Sequence, residues 1–259
     1  MRDFGRATGV IALNTVRELV RSKLLYNLLF FAVLLIGSSM LVAQLTIGQW
    51  DRVILDMGLA AIELSGTLIA VLIGVGLVAG EIERRTLFPT LAKPVPRAAF
   101  LLGRYLGLLA MLAANVLVMM AALALVLRAA DYAVTATVAA AALLIFLELC
   151  LIAAAAMFFG SFTTPVLATA FSISLFLIGH LLGDLKTFRQ RSHAAAAQAV
   201  TGAFYHLLPD LELLNLKSQA SNNLPVPHGF VANSALYAAV YTGALLLLAF
   251  AIFARRDLK

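Results

Sequence analysis

Charged residues are scarce in this chain. They make up 12% of its 259 residues, whereas hydrophobic residues make up 63%, and soluble domains carry roughly 25% charged residues. Several uncharged runs exceed the ~18–20 residues that a helix needs to cross the ~30 Å hydrocarbon core of a bilayer. Such runs favour helices over the alternating strands of a barrel. The composition therefore excludes an ordinary soluble domain and predicts a helical integral membrane protein.

Sequence signals of catalysis are also missing. No Gly-x-x-x-x-Gly-Lys-Ser/Thr phosphate loop is present, so we expect no ATP hydrolysis by this chain itself. No paired acids or Ser–Lys pair lie within the apolar runs, so an intramembrane enzyme is not expected. The single cysteine, Cys150, excludes an intramolecular disulfide. We predict that the chain has no catalytic residues and no cofactor of its own.

The apolar runs define six predicted spans in one transmembrane domain covering residues 1–259. The fold class predicted is all-α and polytopic. The spans are 24–45, 57–80, 105–127, 132–159, 165–183 and 233–254. The spacings Gly76-x-x-x-Gly80 and Gly103-x-x-x-Gly107 would permit close contact between helices.

Residues 1–23 precede the first span and contain an amphipathic pattern. From residue 10 onward one face of a helix would carry an apolar set: Ala12, Leu13, Val16, Leu19 and Val20. A helix of this kind lies in the headgroup plane of a membrane. The alternative is a cytoplasmic extension of the first span.

Basic residues are distributed unequally between the two sides of the predicted membrane domain. The termini and the loop at 81–104 hold 13 of the 19 Lys and Arg, and the other side holds 6. Short loops retained in the cytoplasm are enriched in Lys and Arg. We therefore expect both termini and the 81–104 loop to be cytoplasmic and the 184–232 segment to be external. The net charge of +6 then reports topology and anionic lipid rather than nucleic acid.

The 81–104 loop is the most distinctive part of the sequence. It begins with acidic residues and contains five of the 19 Lys and Arg. Leu87 and Leu91, one helical turn apart, can form an apolar ridge with Phe88. Pro94 and Pro96 would end a short helix before the third span. On charge alone, the loop could instead be a solvated positive-inside segment that contacts lipid headgroups.

This loop resembles that of type-2 ABC exporter permeases. The resemblance rests on Glu81 and Glu83, on Lys93-Pro94-Val95-Pro96-Arg97, on Phe100-Leu101-Leu102-Gly103-Arg104, and on the Phe253-Ala-Arg-Arg-Asp257 ending. Arg85 departs from the Gly that many members carry. The resemblance implies that the loop helix docks on a separate ATPase subunit, which binds ATP and Mg²⁺. The residues assigned to this coupling contact are Glu81, Glu83, Arg84, Arg85, Leu87, Phe88, Leu91, Lys93, Pro94 and Arg97.

The 184–232 segment contains two further features. Ala194 to Leu208 is apolar but too short to span comfortably, so it predicts a re-entrant or interfacial helix. The stretch from Tyr205 to Lys217, with its Leu-Pro-Asp-Leu-Glu core, resembles permeases grouped with multicopper-enzyme maturation. No substrate follows from that resemblance.

Isolated ionisable residues lie within or near the spans. Glu148 falls near the middle of the fourth predicted span, where a charge costs ~2.5–3.5 kcal/mol, so it should face protein, an aqueous path or a partner. No basic partner is evident within the spans. Glu63 is expected to be a hydrated interface residue. The four histidines, His180, His193, His206 and His228, are irregularly spaced, so no metal site is predicted.

The sequence thus predicts the permease subunit of an ABC exporter in a bacterial inner membrane. Its expected partners are ABC ATPase subunits, a second permease copy or a related permease, membrane lipid and an external or periplasmic protein. One alternative is an ion-coupled secondary transporter that uses Glu148, although no internal repeat is evident. Another is an ABC-like scaffold that transmits force without transport.

Overall fold

The computed structural model describes residues 2–45, 49–80, 96–191 and 208–255. These ranges contain helices and turns but no strand, which confirms the all-α prediction. The helices are α1 (Arg2–Val20), α2 (Lys23–Ala43), α3 (Trp50–Val75), α4 (Arg97–Ala129), α5 (Ala136–Gly160), α6 (Pro165–Arg191), α7 (Lys217–Ser221) and α8 (Phe230–Arg255). A π-helical turn, Gly76–Gly80, ends α3, and a 3₁₀ turn, Leu211–Leu214, precedes α7.

Six of the described helices are long and apolar enough to cross a membrane: α2, α3 with its π turn, α4, α5, α6 and α8. Some of them extend beyond the apolar runs. α3 begins at Trp50 and α4 at Arg97, several residues before predicted spans 57–80 and 105–127. Hydropathy marks only the part of a helix that suits hydrocarbon, whereas backbone hydrogen bonds continue into the interface. Asp51 in the first turn of α3 also suits the positive end of a helix dipole.

The core of the bundle is formed by α3 and α5. In their most apolar 18-residue windows, 78% of α3 with its π turn and 72% of α5 are buried, compared with 22–33% for the other four spans. α5 is apolar on every side and carries four consecutive fully buried alanines, Ala153 to Ala156. Small side chains let neighbouring helices approach closely. α5 accordingly packs against α3, α4, α6 and α8.

α1 is a separate helix and does not continue into the first span. The chain passes through Arg21 and Ser22, and Ser22 has extended backbone angles. Thr15 and Leu19 are buried, while Leu13 and Val20 on the predicted apolar face stay exposed. The break excludes an uninterrupted extension of α2. Placement of the exposed apolar side chains at the headgroups remains a prediction.

The two Gly-x-x-x-Gly sequences differ in whether a neighbouring helix packs against their glycines. A Cβ on Gly103 would lie 2.7 Å from the Cβ of Ile11, and one on Gly107 would lie 2.7 Å from the backbone oxygen of Ala12. Both glycines therefore let α4 touch α1. A Cβ on Gly76 or Gly80 would meet no atom within 4 Å in the part of the chain described. Within the described ranges, the expected contact is present at Gly103-x-x-x-Gly107 and not at Gly76-x-x-x-Gly80.

Gly107→Leu is predicted to lower thermal stability and detach α1, because the new side chain overlaps the α1 backbone. Overpacking of this kind costs about 1–3 kcal/mol. Gly243→Leu is the matched control, since a Cβ there meets nothing within 4 Å among the described residues. The measurements are thermal unfolding in detergent and tryptic cleavage after Arg17 and Arg21. Equal stability and equal cleavage in both variants would contradict the α1–α4 contact.

Candidate functional site

Four ionisable side chains from four different helices meet inside the bundle. They are Glu63 on α3, Glu148 on α5, His180 on α6 and Lys217 on α7. His180 Nε2 lies 2.9 Å from Glu63 Oε1 and 3.6 Å from Glu148 Oε1. The Lys217 ammonium donates a hydrogen bond to the other carboxylate oxygen of Glu63. We call these four residues the buried ionic cluster.

The cluster lies deep in the membrane domain. Glu63 is 13 residues from the start of α3, and Glu148 is 12 residues from the start of α5. At 1.5 Å per residue, each carboxylate is about 18–20 Å along its helix from that end. Glu63 is 3% exposed and Glu148 is 1% exposed. The expectation that Glu63 is a hydrated interface residue is therefore wrong.

Lys217 reaches the cluster because residues 208–222 fold back into the bundle, and we call this segment the plug. Leu211, Leu214 and Leu216 of the plug are buried. Leu211 lies against Gly179 of α6, where a Cβ would come within 2.7 Å of the leucine side chain. The Ser234 hydroxyl of α8 donates to the Leu213 carbonyl at 2.7 Å. Apolar burial and hydrogen bonds thus hold the plug on the side where α3, α5 and α8 begin.

The Leu-Pro-Asp-Leu-Glu core supplies the turns that aim Lys217. The Glu212 backbone N–H donates to Asp210 Oδ1 at 3.2 Å, which caps the 3₁₀ turn. The Asn215 amide donates to the Glu212 carboxylate at 3.1–3.2 Å, and Asn215 Oδ1 accepts from the Lys217 backbone N–H at 3.1 Å. All of these hydrogen bonds join residues of the plug to one another. The Leu-Pro-Asp-Leu-Glu sequence, which resembles that of maturation permeases, therefore folds into the turns that position Lys217.

The two buried carboxylates, Glu63 and Glu148, differ in how many polar partners surround them. Glu63 has both His180 and Lys217 beside it. Both oxygens of Glu148 lack a hydrogen-bond partner among the described residues, and the His180 ring, with Nε2 3.6 Å from Oε1, is the ionisable group beside it. Leaving a buried charge without a partner is strongly destabilising. Sequence reasoning singled out Glu148 but missed its neighbours, because nothing local indicates that residues 180 and 217 return to the same depth.

A second set of contacts surrounds the start of α4 at the opposite end of the bundle. Arg97 Nη1 donates to the carbonyl oxygens of Phe253 at 3.2 Å and Ala254 at 3.0 Å. These carbonyls end α8, where a cation is favourable. The Phe100 and Phe253 rings also stack with centroids 6.2 Å apart. The α4 N-terminus is therefore fastened to the C-terminus of α8.

The same end of α4 is fastened to α1. Arg104 Nη1 lies 2.5 Å from Glu18 Oε2, and the guanidinium sits over the Phe100 ring, 5.5 Å from its centroid. The first two turns of α4 thus contact two other helices. We call Arg97, Phe100, Arg104, Glu18 and Phe253 the α4 clamp.

The structure covers the predicted site residues unevenly. Glu148 is in the buried ionic cluster, and Arg97 is in the α4 clamp. The other coupling residues, Glu81, Glu83, Arg84, Arg85, Leu87, Phe88, Leu91, Lys93 and Pro94, lie outside the described residues. The predicted helix at Ala194 to Leu208 also falls almost entirely outside them. These assignments remain predictions.

Comparison with known families decides which kind of membrane protein has this architecture. The ABC-2 family transporter profile matches residues 10–258, which is nearly the whole chain. The chain belongs to this ABC-2 transporter family. No curated protein matches the chain. The chain is accordingly a permease subunit of an ABC transporter and a multi-pass membrane protein.

Family membership also indicates how the work is divided between this chain and its partner subunits. ABC-2 permeases are membrane subunits rather than catalytic ones, and they work with an ABC ATPase subunit, typically as a dimer. The α4 residues of the clamp, Arg97, Phe100 and Arg104, form the last part of the 81–104 loop that the resemblance assigned to the ATPase contact.

Lys217→Met is predicted to destabilise the permease by about 3–5 kcal/mol, because it leaves Glu63 charged and buried without its ammonium partner. A second change, Glu63→Gln, made together with Lys217→Met, is expected to recover part of that loss. Thermal unfolding of both single variants and the double variant in nanodiscs gives the coupling energy. Arg128→Met, which removes an exposed cation, is the control. Strict additivity of the two changes would contradict the ion pair.

Proposed function

We propose that this permease is the membrane subunit of an ABC exporter and that residues 81–104 couple it to a separate ATPase. That ATPase binds ATP and Mg²⁺, and this chain supplies the transport path and the segment that transmits the ATPase's motion to the helices. The active unit is a permease pair, either two copies or this chain with a related permease, carrying two ATPase subunits. The observation that best supports this proposal is the α4 clamp.

The clamp supports coupling because of its position in the chain. Arg97 and Phe100 lie in the first turn of α4, which follows Pro96 at the end of the preceding segment. A push on the preceding loop would reach α4 first. The contacts of α4 with Glu18 of α1 and Phe253 of α8 would then carry that displacement to two further helices. ATPase closure can shift an equilibrium only through such differential contacts.

The other end of the loop has a suitable hinge. α3 ends in the π turn Gly76–Gly80, and Cβ atoms on its two glycines would meet nothing within 4 Å among the described residues. π turns inside helices are rare and occur frequently at functional sites. Among the described residues the side of the turn that carries these glycines is unpacked, whereas Leu77, Val78 and Ala79 between them are buried. α3 then leads from this turn to Glu63.

The path proposed for transport passes the buried ionic cluster. Besides Glu148, the Thr67 hydroxyl and the Asn115 amide are buried without a hydrogen-bond partner among the described residues. Thr67 lies one helical turn from Glu63 towards the π turn. Polar groups at membrane depth are tolerated where they line a cavity containing water. In this proposal the plug closes the path, and opening requires Lys217 to separate from Glu63.

Charge distribution supplies the proposed orientation. The α4 clamp and both termini would face the cytoplasm, and the plug would face the outside of a bacterial inner membrane. In that orientation the plug is accessible to an external or periplasmic partner, and lipid surrounds the exposed apolar faces. No nucleic-acid partner is proposed. The likeness to maturation permeases assigns no cargo.

Leu87→Asp combined with Leu91→Asp is predicted to abolish co-purification of the permease's ABC ATPase subunit when the two are co-expressed, because two charges would replace the apolar ridge. ATP hydrolysis by the complex in nanodiscs should fall to the level of the isolated ATPase. A matched control places the same changes on the plug side, at exposed Leu213 and Leu224. The control should retain the ATPase. Retention by both double variants would overturn the coupling assignment.

A further inference from the structure

We propose that Glu63, Glu148 and His180 form a binding site for a divalent transition-metal cation of the Zn²⁺ class. This site is separate from the ATPase contact and does not depend on it. It differs from the sequence expectation of no metal site, which rested on the spacing of the histidines along the chain. Two carboxylates from other helices complete the ligand set.

The geometry of the three ligand atoms fits such an ion. One ligand atom from each residue lies within 4.8 Å of the other two. His180 Nε2 is 2.9 Å from Glu63 Oε1 and 3.6 Å from Glu148 Oε1. In a tetrahedral site with bonds of 2.0–2.2 Å, neighbouring ligand atoms lie roughly 3.3–3.6 Å apart. Small rotations of the side chains would produce that spacing, and a fourth position would remain for water.

Glu148 gives independent support for a cation. Its side chain is 1% exposed, and both of its oxygens lack a hydrogen-bond partner among the described residues. Its carboxylate nevertheless points towards the His180 ring and the Glu63 side of the cluster. A bound cation would satisfy this carboxylate directly. Its two oxygens are therefore available as metal ligands.

His180 is held in the orientation that a metal requires. Its Nδ1 lies 3.2 Å from the Phe176 carbonyl, to which the Nδ1–H donates. With the Nδ1–H held in this way, a cation that displaces the Nε2 proton meets a lone pair directed at the two carboxylates. The imidazole also packs on the Phe176 ring, with centroids 4.7 Å apart. A backbone carbonyl on the other ring nitrogen is the usual support for a metal-bound histidine.

The charges around the site set which cation it takes. Lys217 neutralises Glu63 from its far oxygen, and Glu212 near the plug turn is exposed and bound to Asn215. With a neutral imidazole, the four cluster residues carry a net charge of −1. A proton on Nε2 would neutralise that charge, so a metal competes with one proton. The nitrogen ligand favours Zn²⁺ or Co²⁺ over Mg²⁺ and Ca²⁺, which prefer oxygen.

The test uses the full chain, purified through a tag without histidine and placed in nanodiscs. Zn²⁺ is titrated by calorimetry in two buffers that differ in ionisation enthalpy, at a pH below the ordinary histidine value. We expect one Zn²⁺ per chain and release of about one proton. His180→Gln and Glu148→Gln should each weaken binding by about 100-fold or more, given that loss of a supporting group alone costs 10–100-fold. His228→Gln, which removes an exposed histidine, should bind as the wild type does.

A measurement on the unaltered chain covers the case in which a variant does not fold. X-ray absorption of the Zn²⁺ complex should give one imidazole nitrogen and oxygen ligands. A ligand set without nitrogen, the absence of stoichiometric binding, or full affinity in a folded His180→Gln variant would overturn the proposal. Loss of binding in His228→Gln would place the ion elsewhere and would also overturn it. None of these outcomes bears on ATPase coupling, which is tested separately.

Discussion

The two carboxylates buried between α3 and α5 are the constraint on which much of this structure depends. Glu63 and Glu148 are almost completely removed from solvent, and a buried charge without compensation costs several kcal/mol. α3 and α5 form the core of the bundle and supply no cation to this cluster. The compensation comes from His180 of α6 and Lys217 of α7. The position of the plug and the pairing of α6 with the core therefore serve the same electrostatic requirement.

The α4 clamp provides the complementary arrangement at the other end of the bundle. There the helices approach closely because Gly103 and Gly107 lack side chains, and Arg104 joins α4 to Glu18. Arg97 binds the last carbonyls of α8. Apolar packing in α5 lies between the clamp and the buried ionic cluster, and Tyr105 of α4 donates to the Cys150 carbonyl of α5 at 3.0 Å. The permease thus has polar contacts at the clamped end of the bundle and deep inside it, and a closely packed core joins the two.

The sequence predicted the parts of this fold that depend on local composition. Six apolar runs indicated six spans, and the family followed from residues of the 81–104 loop and from the chain ending. Glu148 was recognised because a charge in an apolar run is costly wherever the run folds. Gly103 and Gly107 were recognised from their spacing.

The buried ionic cluster could not be predicted in the same way. It joins residues separated by up to 154 positions, and Lys217 lies in a polar segment that the charge count places outside the membrane. Its return to the depth of Glu63 depends on the buried leucines of the plug and on the close approach at Gly179. Those contacts are tertiary and leave no periodic signal. Glu63 was misplaced for the same reason, since its neighbours come from distant parts of the chain.

Hydrogen–deuterium exchange in the Glu63→Gln variant shows whether the Lys217–Glu63 ion pair holds the plug in place. Amide exchange reports local opening, and the Lys217–Glu63 ion pair fastens residues 211–221 of the plug to the core. Exchange in that segment should therefore accelerate by tenfold or more in the variant, while exchange at the start of α4 stays unchanged. Equal protection of the plug in the variant and the wild type would show that the ion pair does not hold the plug on the core.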